Sequence, residues 1–144
     1  TYFINVRLVE VGRLQYEYVD MHTIRIHIPS DEKLEVLKVI DSITSSKNVI
    51  KRYFKVEEPQ YVCDSWLLSP EIHQLVSKDS NIYQFYELFD VSKGYDCIRD
   101  IFDFVYRTKE CDYRELAEET SLQRVIKEYL LDGNCIHLGC GILK

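Results

Sequence analysis

The sequence predicts an α/β domain of the mixed (α+β) kind, and three observations carry that prediction. Ile24, Ile26 and Ile28 alternate with Arg25 and His27, which places three β-branched side chains on one face of a strand. The period then changes around Pro29. Val36, Val39, Ile40, Ile43, Ile50 and Phe54 recur at helical spacing over about six turns, through a polar break at Thr44 to Asn48. After Glu57-Glu58-Pro59 the residues Tyr61 to Leu68 read as a strand again. A strand feeding a long amphipathic helix is the βα unit of a sheet flanked by helices.

The remaining elements follow in order. Tyr2 to Val11 and Gly12 to Val19 are rich in β-branched and aromatic residues and predict one or two strands, broken or bulged near Gly12. Asp20 to Thr23 is short and polar, so the Ile24 to Ile28 strand is expected to pair antiparallel with its predecessor. Pro29 ends that pairing, and Ser30 is the predicted cap of a helix from Asp31 to Phe54 with Asp31 and Glu32 in its first turn. The Tyr61 to Leu68 strand stops at Ser69, an N-cap residue, and Pro70 suits the first position of a short helix to Val76. Lys78 to Ser80 turns the chain. Ile82, Phe85, Tyr86 and Phe89 fit a helical face, with Phe89 equally suited to a strand. Val91 to Tyr95 contains Gly94 as a turn residue, and Asp96 can cap a helix bearing Ile98, Ile101, Phe102 and Val105. Thr108 to Leu116 reads as a loop. Thr120 and Gln123 form a capping box before Val125, Ile126 and Tyr129, and Gly133 stops that helix. Cys135 to Leu143, with Gly139 and Gly141, predicts a terminal strand or extended tail in close backbone contact.

A chain of 144 residues suits one domain with a substantial core. It opens at Thr1 without Met and without a charged-then-apolar leader, which we read as a piece of a longer protein. No apolar run reaches membrane-spanning length, so no membrane partner is expected. The net charge of −6, with no block of Lys or Arg, argues against nucleic acid. Five cysteines in no CxxC arrangement fit reduced thiols in a cytoplasmic setting and offer no zinc signature, so no metal is expected.

No motif is specific enough by itself to name a reaction. His27 lies on the polar face of its strand beside the predicted helix start, where an imidazole can act as a base or bind phosphate. The alternative is a strand histidine satisfied by a neighbour. Cys63 and Ser65 share one face of the next strand, while Asp64 and Trp66 share the other. A nucleophile there needs a base that the sequence does not reveal, and Trp66 fits core or pocket wall. Gly133, Gly139 and Gly141 are too widely spread for a phosphate cradle, and Glu118-Glu119-Thr120 reads as a capped helix start. A ligand is therefore expected at the carboxyl end of the Ile24 to Ile28 strand, bounded by His27, Ser30, Ser65 and Trp66.

Several phrases together resemble one family: Gly12-Arg13-Leu14-Gln15-Tyr16-Glu17, His27-Ile28-Pro29, Asp64-Ser65-Trp66-Leu67-Leu68-Ser69-Pro70, Ser80-Asn81-Ile82-Tyr83-Gln84-Phe85 and Glu119-Thr120-Ser121-Leu122-Gln123-Arg124. In this order, over nearly the whole chain, they resemble the GNAT-like C-terminal domain of bacterial acyltransferase proteins. The resemblance implies a GNAT-like mixed sheet flanked by helices, with residues 1–144 as a single domain behind a separate N-terminal domain. It implies acyl-CoA as co-substrate and a small-molecule amine as acyl acceptor; no catalytic residue carries over from the family by position, and on the acyltransferase reading His27 or a nearby carboxylate takes the proton. Ser30, Ser65 and Trp66 are then the expected cofactor-binding residues. In typical relatives of this fold the CoA pyrophosphate sits on backbone amides of a glycine-containing loop between a strand and a helix. Here the matching stretch, Ile28 to Leu34, holds Pro29, Ser30 and Asp31 and no glycine. A binding or structural domain that kept the fold without the chemistry is the alternative.

Overall fold

A computed structural model describes residues 7–144, so residues 2–6 of the first predicted strand lie outside the described residues. The described residues form an α+β fold with a mixed six-stranded sheet in the order β1-β2-β3-β4-β6-β5 and five helices. Two compact units divide the chain, residues 1–63 with 142–144 and residues 64–141.

In the first unit β1 (Leu8–Val11) and β2 (Leu14–Asp20) form a hairpin closed by Gly12 and Arg13. Gly12 has φ +58° and Arg13 does not share the left-handed region, so the turn needs glycine at its first central position. The break expected near Gly12 is thus a tight hairpin turn. β3 (Thr23–His27) pairs antiparallel with β2, Tyr16 opposite Ile26, with a bulge between Tyr18 and Asp20. Helix α1 (Val36–Phe54) then returns the chain to β4 (Gln60–Ser65), which pairs parallel with β3. Leu14, Tyr16, Ile24 and Ile26 of the strands are buried, as are Val39, Ile43, Ile50 and Phe54 of α1. Burying each such side chain stabilises by roughly 1.5–3 kcal/mol.

The polar stretch Thr44 to Asn48 does not interrupt α1, because its buried member finds a partner. Ser42 and Ser46 stand one turn apart on the core face; the Tyr16 hydroxyl lies 2.8 Å from Ser42 Oγ and the Tyr61 hydroxyl 3.1 Å from Ser46 Oγ. Ser42 also donates to the Val11 carbonyl. Two tyrosines packed edge to face, centroids 5.9 Å apart, thereby tie the sheet to the helix.

In the second unit Trp66–Leu68 forms a single 3₁₀ turn, which corrects the expectation of a strand running to Leu68. Ser65 Oγ accepts the Leu67 N–H at 3.1 Å and so ends the extended run. Helix α2 (Pro70–Leu75) starts at Ser69 as expected, and α3 (Asn81–Tyr86) is capped by Ser80. β5 (Phe89–Asp96) runs straight through Gly94, which is therefore no turn residue. A Cβ at Gly94 would lie 3.1 Å from the Leu138 carbonyl and 3.2 Å from the Cys140 sulfur, so glycine serves a close strand contact. Helix α4 (Ile98–Asp100) continues as the π-helical turn Ile101–Tyr106. Within the loop expected from Thr108 to Leu116, Tyr113–Glu115 forms a 3₁₀ turn. Helix α5 (Ser121–Leu131) carries the Thr120 and Gln123 capping box, and β6 (His137–Leu143) closes the chain. The core of this unit gathers Ile72, Ile101, Phe102, Ile126, Leu130 and Leu138. A Cβ at Gly139 would fall 1.8 Å from the Leu68 carbonyl oxygen, which accounts for the glycine there.

Candidate active site at the end of strand β3

Because Ile24 and Ile26 face the core, Arg25 and His27 stand on the other face of β3. Glu17 is paired with Arg25 across the ladder and lies diagonally from His27. His27 Nε2 is 2.7 Å from Glu17 Oε1, and Arg25 Nη1 is 3.9 Å from the same oxygen. The pair is open to solvent, with side chains 45% and 27% exposed. A carboxylate that accepts the Nε2 proton sets the neutral tautomer and leaves the Nδ1 lone pair available to take a proton. Glu17 was missed by sequence reasoning. The signal was its place on the polar face of β2, but the bulge near Val19 sets the register that brings it to His27.

The eight residues from Ile28 to Glu35 link β3 to α1. Helix α1 begins at Val36 with Glu35 at the N-cap, which corrects the expected start at Asp31 capped by Ser30. The reason lies in Arg13 at the β1–β2 turn. Its Nε donates to the Lys33 carbonyl at 3.1 Å and its Nη2 to the Glu32 carbonyl at 2.8 Å. Carbonyls held outward in this way cannot point along a helix axis, so the helix starts after them. Asp31 and Glu32 are exposed in the loop, and the first turn of α1 contains no acidic residue. Glu35 makes no side-chain cap, so the first N–H groups of the 19-residue α1 have no side-chain acceptor.

His27 and the exposed Ser30 belong to the first unit, and Ser65 and Trp66 to the second. Ser65 is occupied as the cap of the 3₁₀ turn, and Trp66 is half-buried against the cluster around Ile72 and Ile101. The second unit has two histidine and carboxylate pairs: His73, stacked on Tyr83 and Tyr86, has Nε2 2.7 Å from Glu87 Oε1, and His137 meets Glu71. Glu71 Oε1 accepts from His137 Nδ1 at 2.7 Å and from the His137 backbone N–H at 2.6 Å, and Lys93 Nζ lies 3.7 Å from the other oxygen. An open depression of about 340 Å³ lined by Ile98, Phe102, Glu110, Asp112 and Tyr113 has an acidic rim, which disfavours an anion. Cys97, Cys111, Cys135 and Cys140 are free thiols, and burial pushes Cys97 up from 9.0 to about 12, far from a reactive thiolate. Among the described residues no group of three or more His, Cys, Asp or Glu side chains converges on a metal position, and no helix is long and apolar enough to cross a membrane.

Residues 8–143 match the family described as GNAT-like C-terminal domain. The chain belongs to that family. Among solved structures the GNAT-like domain is similar to an acyltransferase in complex with decanoyl-CoA, at TM-score 0.83 and 24% identity over 94% of this chain and 45% of that one. An acyltransferase mutant in complex with octanoyl-CoA matches at TM-score 0.84 and 22% identity, over 95% and 46% of the two chains. An acyltransferase in complex with CoA and 10C-teicoplanin matches at TM-score 0.84 and 22% identity, with the same coverage of 95% and 46%. This likeness establishes a shared fold, and the chain spans less than half the length of those acyltransferases. No curated protein matches the sequence.

Proposed function

We propose that this domain binds acyl-CoA as part of an N-acyltransferase and supplies the base for acyl transfer to an amine. One observation carries the reading: an uncapped helix start follows β3 across one eight-residue loop, with an oriented, solvent-open imidazole at the end of that strand. The N–H groups of Val36, Leu37 and Lys38 are free to hold the pyrophosphate, and the exposed Ser30 hydroxyl in the same loop adds a donor. Asp31 and Glu32 stay out of the helix start, where solvent screens them.

In the reaction the amine nitrogen attacks the thioester carbonyl carbon and its proton passes to His27 Nδ1. The C–S bond then breaks, and the CoA sulfur leaves carrying that proton. Glu17 holds the imidazole in place, with Nδ1 left open. Ser65 and Trp66 have no part in this reading, since both serve the second unit. The acyltransferases of like fold that hold acyl-CoA support the donor, and their greater length supports a preceding domain that brings a small-molecule acceptor. The free thiols support a cytoplasmic setting.

The test is calorimetric titration of decanoyl-CoA into the domain, followed by transfer assays in the longer protein. Saturable binding displaced by CoA is expected, and His27→Ala should retain it while turnover falls by about a hundredfold or more. Absence of binding would sink the reading. Binding with His27→Ala turnover unchanged would leave a CoA-binding domain whose chemistry lies elsewhere.

A further inference from the structure

We propose that Arg13 is a positioning residue for the phosphates of the donor, an inference that rests on the acyl-CoA reading above. Arg13 is only 6% exposed, yet it forms no ion pair with a carboxylate among the described residues. A buried charge without a counter-ion is costly, and carbonyl dipoles compensate it only in part. Nε and Nη2 are taken by the Lys33 and Glu32 carbonyls. Nη1 has no acceptor among the described residues, and no buried nitrogen is left unpaired, so that edge of the guanidinium reaches the surface.

The two bonds also determine which way the loop amides face. In a trans peptide the N–H lies opposite the C=O. Turning the Glu32 and Lys33 carbonyls toward Arg13 therefore directs the N–H groups of Lys33 and Leu34 away from it, as two donors ahead of those at the start of α1. Successive free amides of this kind form an anion-binding concavity. Glycine, which such loops use to leave amides free, is absent from Ile28 to Glu35. Arg13 does the equivalent work from a neighbouring hairpin, and its unpaired charge favours an anion at the loop.

The experiment compares CoA with S-decanoyl-pantetheine, which keeps the thioester arm and lacks the phosphates, on Arg13→Met and Arg13→Lys. Arg13→Met should weaken CoA by about tenfold or more and leave S-decanoyl-pantetheine within about twofold. Arg13→Lys, which keeps the charge and can reach one carbonyl, should recover part of the loss. Equal weakening of both ligands would mean that Arg13 supports only the fold, and the proposal would fail. Unchanged CoA affinity in folded Arg13→Met would also overturn it, while leaving the acyl-CoA reading intact. If Arg13→Met does not fold, Arg13→Lys decides: an affinity for CoA equal to the parent rejects the proposal, and a loss confined to CoA supports it. If the parent protein binds no CoA, both readings fall together.

Discussion

Three histidine–glutamate pairs stand at the same separation, His27–Glu17 in the first unit and His73–Glu87 and His137–Glu71 in the second, and the first and last of them have opposite roles because of their surroundings. His27 and Glu17 are 2.7 Å apart with side chains 45% and 27% exposed; His137 and Glu71 are 2.7 Å apart at 29% and 9%. Glu71 is saturated, because it also accepts the His137 backbone N–H and lies near Lys93. It locks the start of β6 to α2. Glu17 has one oriented imidazole and a distant Arg25, and His27 Nδ1 is left with nothing to do in the fold. The helix starts divide in the same way. Ser69, Ser80 and Thr120 cap α2, α3 and α5, and Asp96 Oδ1 accepts the Ile98 N–H at the start of α4, whose N-cap Cys97 makes no side-chain cap, whereas α1 in the first unit begins uncapped. Polar groups that are satisfied within the chain stabilise it, and those left open are the ones available to a ligand.

The strongest way to break this comparison is to remove each carboxylate. Glu71→Ala leaves a partly buried imidazole and a backbone N–H unpaired and should destabilise by about 3 kcal/mol. Glu17→Ala removes an exposed pair and should cost less than about 1 kcal/mol, while lowering acyl transfer through loss of the oriented tautomer. Urea midpoints of the two variants check the first contrast, and turnover of Glu17→Ala checks the second. Equal destabilisation by both would show that exposure does not separate the pairs.

A smaller effect sharpens the contrast between helix starts. Glu35→Ser supplies α1 with a side-chain acceptor and should raise stability by about 1 kcal/mol, with weaker CoA binding because the cap competes with the phosphates. Thr120→Ala should lower stability by about 1 kcal/mol with no effect on CoA. Thermal melts with and without CoA read both outcomes. A stabilised Glu35→Ser protein with undiminished CoA affinity would place the phosphates elsewhere.

The smallest effect at ordinary pH lies in the buried hydroxyls. Burial raises Tyr16 from 10.0 to about 12, against a lowering by the hydrogen bond to Ser42. In the second unit burial likewise raises Tyr106 from 10.0 to about 12. The folded-state values lie above the unfolded ones, so the stability due to the neutral phenols is complete below about pH 10 and is lost as pH rises through about 12. Urea midpoints should hold steady up to about pH 10 and fall above it, and Tyr16→Phe should flatten part of that fall. An unchanged slope in Tyr16→Phe would mean that its hydroxyl titrates as in the unfolded chain.

What the sequence determined by itself is local: the period change around Pro29, the core face of α1 except that Ile40 of the expected stripe is exposed, the caps at Ser69 and Thr120, and the glycine stop at Gly133. Each depends on side chains within a few residues of one another, and helical or strand spacing reports them directly. The His27 position was legible for the same reason, since alternation along β3 assigns its face. Tertiary structure decided the rest. The bulge near Val19 chose the register that puts Glu17 beside His27, and no local preference announces a bulge of one residue. Arg13, about twenty residues earlier in the chain, captured the Glu32 and Lys33 carbonyls and moved the start of α1 from Asp31 to Val36. Ser30, Asp31 and Glu32 carry every local sign of a helix start, yet two hydrogen bonds from a distant guanidinium outweigh a capping preference of about 1 kcal/mol. Gly94 reads as a turn and serves a strand because Leu138 and Cys140 approach it closely. Backbone hydrogen bonds and close contacts between distant segments have no periodicity, which is why the elements were visible in the sequence and the working geometry of the site was not.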